Sequence, residues 1–350
     1  MRIVVALPVT SVLIAAGLLA GSSPALAAPT CIDPATRPLC GGRVVAEAEL
    51  SVSQHQFSGS VDDIKATLKA IEGVAPKGFF TTFSAGKSAG GRDIWVARVT
   101  DPSVPSSRKR QVAVSLSVHG LEPAGREGGI RYLEDLARWA ATDPGRLLYA
   151  GDTGVPIRDV LKRAELYVGF TNPDGWSRQD LDNENDTAGV QAPRYNAKGA
   201  DLNRDFPTLG WVDREATGGA GSKRGPVLDQ PESKAWYGLL QKLPNLTTAT
   251  DIHGELDSVN NAFSDLMWPA GQWSPNMQAK ELQLAKDMIK TVERKFADEG
   301  VTLADVFGPT IGQRPANVAT GYDVVGYDDS GFMGDAMTRL NGGRVVEIDV

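Results

Sequence analysis

The chain has too little of several things to belong to some broad classes. Glycine, at 38 of 350 residues, falls far short of the one in three that a collagen-like triple helix needs. Long runs of one charge sign are missing. The 36 basic and 43 acidic residues are interspersed and leave a net charge of -7, so there is no electrostatic footprint for nucleic acid. Beyond the first thirty residues no apolar run reaches the ~20 uncharged residues of a membrane span. Cysteine occurs twice and histidine three times. At 41% hydrophobic, the sequence is too apolar for a disordered chain and long enough to bury a sizeable core.

The N-terminus reads as a processing segment. Arg2 supplies a short positive region, Ile3 to Leu19 is nearly all apolar or small, and Ala25-Leu26-Ala27 is a small-x-small cleavage signal. Residues 1–27 are therefore expected to be a secretory signal peptide, with an uncleaved membrane anchor as the alternative. The mature protein would be exported, soluble and away from the membrane. Residues 28–59 form an N-terminal segment in which Cys31 and Cys40 bracket CIDPATRPLC. In an oxidising compartment this pair predicts one local disulfide; a metal or redox site would need more ligands or a CxxC spacing. His55 lies outside every motif and is expected to be an ordinary exposed histidine.

Further along, apolar runs alternate with helical spacing. Strands are predicted over Ile94–Val99, Val112–Val118, Leu166–Phe170, Leu246–Ile252 and Val345–Val350, and helices over Gly128–Ala141, Pro231–Leu243 and Asn276–Ala297. Asp229, Pro231 and Glu232 predict a helix start with Asp229 as the capping acceptor. The alternation implies an α/β fold without internal repeats or linkers after residue 60. Residues 179–198 and 208–226 are polar, Gly-rich loops of a length that is often functional.

The chemistry gathers at strand ends. The run Val112–Val118 leads into His119-Gly120-Leu121-Glu122, and Leu246–Ile252 leads into His253. Ligands of open α/β sheets bind beyond the carboxyl ends of the strands, and two His with one Glu and an open fourth position form a catalytic zinc ligand set. A single HxxE is weak by itself. The remaining polar segments add to it: NPDG at Asn172–Gly175, and GADLNRDFP with Asp201, Asn203 and Arg204 in one short loop.

In order and spacing these segments, with GKSAGGRDI, VHGLEPAGRE, QPESKA, TDIHG and VVEID, resemble the zinc carboxypeptidases of the carboxypeptidase A and B type from about Ser60 to the last residue. The resemblance implies one α/β domain at 60–350: a mixed, mostly parallel twisted sheet flanked by helices. It implies one zinc per chain on His119, Glu122 and His253, with Asp201 orienting His119. Asn203 and Arg204 would hold the substrate's terminal carboxylate. Arg194 would polarise the scissile carbonyl, with Arg178 as a competitor for that role. Glu347, on the strand face opposite Val346, Ile348 and Val350, would be the catalytic acid and base. Tyr327 would close over the substrate, with Tyr322 as its rival. The implied partner is a peptide or protein with a free C-terminus; the chain, exported on its signal-like N-terminus, is expected to be a monomer.

Seven residues past Tyr327 the family places the base of its specificity pocket. Gly334 stands there, which predicts a roomy pocket lined by Met333 and Phe332 and release of Phe, Tyr or Leu over Lys and Arg, unless Asp335 reaches in. The sequence stops three residues after Glu347, where the family's domain continues, so an incomplete C-terminus is expected. Two other functions are compatible with these residues: a peptidoglycan stem-peptide hydrolase on the same scaffold, and a catalytically silent peptide-binding module.

Overall fold

The computed structural model describes residues 64–116, 118–177, 193–208, 227–253, 265–268, 275–300, 302, 317–320, 323 and 331–350. The signal peptide, Cys31, Cys40, His55, Arg178, Tyr322 and Tyr327 lie outside the described residues. In chain order the elements are α1 (Ile64–Val74), β1 (Phe80–Lys87), β2 (Asp93–Val99), β3 (Arg110–Leu116), α2 (Pro123–Thr142), β4 (Leu147–Ala150), β5 (Thr153–Pro156), α3 (Ile157–Arg163) and β6 (Ala164–Phe170). They continue with α4 (Pro173–Trp176), α5 (Pro231–Leu240), β7 (Leu246–Ile252), β8 (Asp265–Trp268), α6 (Pro275–Glu299), β9 (Asn317–Thr320), α7 (Met333–Thr338), α8 (Leu340–Gly343) and β10 (Val346–Asp349).

Eight strands form one mixed sheet in the order β1-β2-β6-β3-β7-β10-β8-β9, and β4 and β5 make a separate small ribbon. The central run β6-β3-β7-β10 is parallel throughout. The edge pairings β1-β2, β2-β6 and β10-β8 are antiparallel. A parallel centre must be covered on both faces, and the strand residues sort accordingly with period two. Val114, Leu116, Val168 and Phe170 join Leu68, Leu133 and Leu161 from α1, α2 and α3 in one core. Ala113, Tyr167 and Ala249 join Trp236, Leu240, Met333 and Met337 from α5 and α7 in the other. Gly169 makes that second packing possible: a Cβ there would come within 2.4 Å of the Trp236 ring.

Most predicted elements are present with shifted ends. Pairing of β3 stops at Leu116, so His119 stands in a turn closed by Glu122 N–H donating to His119 O at 3.2 Å. The helix start at Asp229 requires a correction. Gln230 is the capping position of α5, without a side-chain bond to the helix, and Asp229 and Gln230 both direct their backbone N–H to Asp205 (3.0 and 3.1 Å).

Candidate metal centre

The parallel run sets the site's position, since β3, β7 and β10 all end on the same edge. Pro123 opens α2 directly after Glu122, and Glu122, although at the capping position, makes no side-chain bond to the helix. Its carboxylate turns instead to two imidazoles. His119 Nδ1 lies 2.7 Å from Oε1, and His253 Nδ1 lies 3.2 Å from Oε2. One ligand atom from each of the three residues lies within 4.8 Å of the others, and the two rings are 5.0 Å apart between centroids. His119 and Glu122 are buried and His253 is partly exposed, so the cluster opens on one side.

Each imidazole is held from behind through its other nitrogen. His119 Nε2 is 3.2 Å from Asp201 Oδ1, and His253 Nε2 is 3.3 Å from Asp251 Oδ2. For His119, Asp201 accepting the Nε2 proton leaves the Nδ1 lone pair facing Glu122, which is the tautomer that a metal ion needs. The donor set of two imidazoles and one carboxylate therefore fits zinc. Electrostatics agree: burial alone would raise the Glu122 pKa, but His119 and His253 hold it well below the carboxylate range. For His253, burial works against protonation and is outweighed by Glu122 and Asp251, which push its pKa well above the usual histidine value, so a metal ion binding there must displace a proton from the ring.

Arg194 flanks this centre. Its Nε and Nη2 both lie 3.1 Å from Asp201 Oδ2, and its Nη1 is 4.0 Å from Glu122 Oε1. Burial disfavours its charge, but Asp201 and Glu122 more than offset that and keep it ionised. Asn203 and Arg204 sit in the single turn Leu202–Arg204, which begins with Asp201 Oδ1 accepting the N–H of Asn203 at 3.0 Å. Asn203 Oδ1 accepts the N–H of Met333 at 2.7 Å, and its Nδ2 lies 3.4 Å from His253 Nε2. The guanidinium of Arg204 stacks 4.4 Å over the Phe332 ring. Gly331 is required here: its φ is +92°, and a Cβ would come within 2.2 Å of Arg204 O.

Glu347 lies on β10 as expected, fully buried, but its carboxylate faces α7. A Cβ on Gly334 would come 2.8 and 2.9 Å from its two oxygens and 2.7 Å from Asp349 Oδ1. Burial, then Asp349, Asp251 and Asp335, push the Glu347 pKa well above the carboxylate range. Asp349 is the β10 acid beside the candidate metal ligand His253. It forms a cluster with Asp251 and His253, and burial raises its pKa to about 6 despite His253. Sequence reading passed over Asp251 and Asp349. The available signal was the i, i+2 spacing of Asp251 with His253 and of Glu347 with Asp349, which puts each pair on one strand face. The expected apolar lining around Gly334 also needs correction, because Met333 belongs to the core and Phe332 lies under Arg204.

The other motifs brace the site. Asp174 of NPDG accepts bonds from Ser88 Oγ (2.8 Å), Gly90 N (2.8 Å) and Ala197 N (3.3 Å), joining the β1-β2 turn to the loop that carries Arg194. Asn172 Oδ1 caps Gly175 N at 2.9 Å, and its Nδ2 reaches Val118 O at 2.9 Å beside His119.

A His-x-x-Glu and distant His cluster on the carboxyl edge of a mixed sheet, with two arginines beside it, is the layout of a metal-dependent α/β enzyme. The profile described as zinc carboxypeptidase matches residues 64–328, and the chain belongs to that family. It is 28% identical to human carboxypeptidase Z over 290 residues, covering 77% of this chain and 40% of that protein. It is 26% identical to the human carboxypeptidase N catalytic chain over 216 residues, covering 59% and 43%. With carboxypeptidase D of Anas platyrhynchos it shares 28% over 185 residues, 52% of this chain and 11% of that protein. The chain thus spans less than half the length of these relatives. Among solved structures, carboxypeptidase A from Helicoverpa armigera shares the fold with a TM-score of 0.59 at 17% identity, covering 83% of this chain and 63% of that one. Bovine thrombin-activatable fibrinolysis inhibitor does so with 0.58 at 14%, covering 84% and 86%.

Proposed function

We propose that the protein is a secreted zinc carboxypeptidase that hydrolyses the last peptide bond of peptides or proteins with a free C-terminus. The observation that carries this reading is the convergence of both Nδ1 atoms on the two oxygens of Glu122, with each Nε2 facing a carboxylate. His119, Glu122 and His253 would hold one zinc ion per chain. When bound, zinc acidifies a water and polarises a carbonyl.

The chain's own groups supply the rest. Arg194 offers a buried, permanent positive charge to the oxyanion that forms at the scissile carbonyl. Arg204 can bind a terminal carboxylate with two parallel bonds, and an amidated end would leave its charge unpaired. Tyr327 is assigned by family resemblance to closing over the substrate. A β10 carboxylate takes the proton and returns it to the leaving amine. The resemblance assigns this role to Glu347, and the proximity of Asp349 to His253 favours Asp349 as the second candidate. Secretion rests on the signal-like residues 1–27.

The test measures bound zinc together with single amino acids released from matched free and amidated peptides. Stoichiometric zinc with release only from free ends is the expected result. Cleavage of both at equal rates would overturn the exopeptidase reading, and zinc binding without release would indicate a binding module.

A further inference from the structure

Away from the metal ligands, two buried carboxyls join segments that are far apart in sequence. Asp174 lies in α4 and Glu232 in the first turn of α5. The successive amides of Ala89 and Gly90, in the turn between β1 and β2, donate to Glu232 Oε1 at 2.9 Å and to Asp174 Oδ2 at 2.8 Å. On the other side two more successive residues do the same. Asn196 Nδ2 donates to Glu232 Oε2 at 3.2 Å, and Ala197 N donates to Asp174 Oδ2 at 3.3 Å. The two acids thus staple the loop of Arg194 to the β1-β2 turn.

Asn196 transmits that hold to the site. Its Oδ1 accepts the N–H of Lys198 at 2.9 Å and of Ala200 at 3.0 Å, which folds the chain back between Arg194 and Asp201. Arg194 bonds Asp201 across this fold, so a shift of Asn196 moves the cation proposed for the oxyanion.

The charges of the staple balance only with a proton present. Arg92 Nη1, 3.2 Å from Asp174 Oδ1, is the one cation paired with either acid among the described residues, and it is partly exposed. Asp174 and Glu232 also touch each other, so two buried negative charges facing this single guanidinium would repel. Glu232 holds the proton: burial, and then Asp174, raise its pKa to about 7 against the bonds from Ala89 and Asn196. For Asp174, burial is outweighed by the bonds from Ser88 and Gly90, which keep it ionised.

We propose that Asp174 and Glu232, sharing one proton, are positioning residues for Arg194: their staple holds the cation beside the scissile carbonyl, and release of the proton to solvent loosens it. This rests on the carboxypeptidase reading.

The test follows kcat and KM of the zinc-loaded protein on a free-ended peptide as pH rises. Glu232→Gln imitates the protonated acid and cannot ionise. Between about pH 6 and about pH 8.5, kcat of the parent should fall about 10-fold further than that of Glu232→Gln, each taken relative to its own value at the lower pH. KM, which reads the carboxylate anchor, should follow one course in both. A phosphonate peptide, with anionic oxygens in place of the scissile carbonyl, reads the cation without turnover. Its Ki should climb about 10-fold more in the parent than in the variant over the same range, whereas Ki for the free product amino acid should climb equally in both. Arg92→Gln removes the staple's cation, so the proton is held more tightly and the fall in kcat should move to higher pH. Equal falls in the parent and Glu232→Gln overturn the proposal, as does a fall that Arg92→Gln leaves in place. Weakening of both inhibitors together with loss of the far-UV signal also overturns it, because the pair would then brace the fold and not the cation. If no residue is released at any pH, the carboxypeptidase reading itself fails, and the positioning role with it; release with matching profiles overturns the role alone. Should Glu232→Gln fail to fold, the displaced profile of Arg92→Gln still decides.

Discussion

His119 and Asp201 meet at 3.2 Å across 82 residues of sequence, and the same aspartate bonds Arg194 through its second oxygen. One carboxylate thereby sets the tautomer of a candidate metal ligand and the position of the cation beside it. Burial alone would raise the Asp201 pKa, yet Arg194 and His119 hold it well below the carboxylate range. Asp201→Asn should leave the fold intact while weakening zinc affinity ~10- to 100-fold, as expected for loss of a partner behind a metal ligand. Competition with a zinc chelator measures this, and unchanged affinity would remove Asp201 from the metal centre.

The three ligands should be separable from their surroundings. His119→Ala and His253→Ala are each expected to lose stoichiometric zinc and all measurable turnover. Elemental analysis after dialysis checks the first, and amino-acid release checks the second. A double variant that retains one zinc per chain would show that the metal binds elsewhere.

Arg204→Ala should act on binding more than on chemistry. KM for a free-ended peptide is expected to rise by about 10- to 10²-fold, given the ~1.5–3 kcal/mol typical of a charge-assisted bond. The preference over the amidated peptide should disappear with it. A preserved preference would place the carboxylate anchor on another residue.

Gly120, inside the HxxE turn, has no room for a side chain. A Cβ would lie 2.1 Å from Gly175 C and 2.3 Å from Trp176 N, both backbone atoms that cannot move without shifting the NPDG turn. Gly120→Ala is therefore expected to destabilise the fold by about 1–3 kcal/mol, in the range of overpacked sites, and to weaken zinc affinity at the same time. Urea unfolding with and without zinc distinguishes the two effects. Parent-like stability would mean that the two turns are not in contact.

Stability should fall with rising pH through Glu134. Burial raises its pKa to about 7, with Arg138 pulling the other way. Because the folded protein holds this proton more tightly than the unfolded chain, the contribution is complete below the ordinary pKa near 4.5 and is lost as pH climbs through 7. Glu134→Gln, which cannot ionise, should gain about 1–3 kcal/mol on the parent between pH 4.5 and pH 8, measured by urea midpoints. A constant difference across that window would show that Glu134 ionises freely in the fold.

Local chemistry made much of this protein readable from the sequence. Glu122 and His119 are three residues apart, Pro123 opens the next helix, and the strand ends before both histidines follow from apolar runs that must be buried on two faces. The α/β class needed nothing more than such patterns, while the reading of His119, Glu122 and His253 as a ligand set also drew on the family resemblance of the motifs. The placing of Glu347 and Asp349 against Gly334, and of Asp349 beside Asp251, was decided only by tertiary structure. Parallel pairing of β7 with β10 sets Asp349 opposite Asp251 across nearly a hundred residues, and packing of α7 on β10 turns the β10 acids toward a glycine. Period-two alternation says which strand residues share a face, but the register between distant strands and the helix lying on that face are set by long-range packing, which leaves no mark in any single segment. Met333 and Phe332 show the same limit: both read as pocket lining, and the fold placed one in the core and the other beneath Arg204.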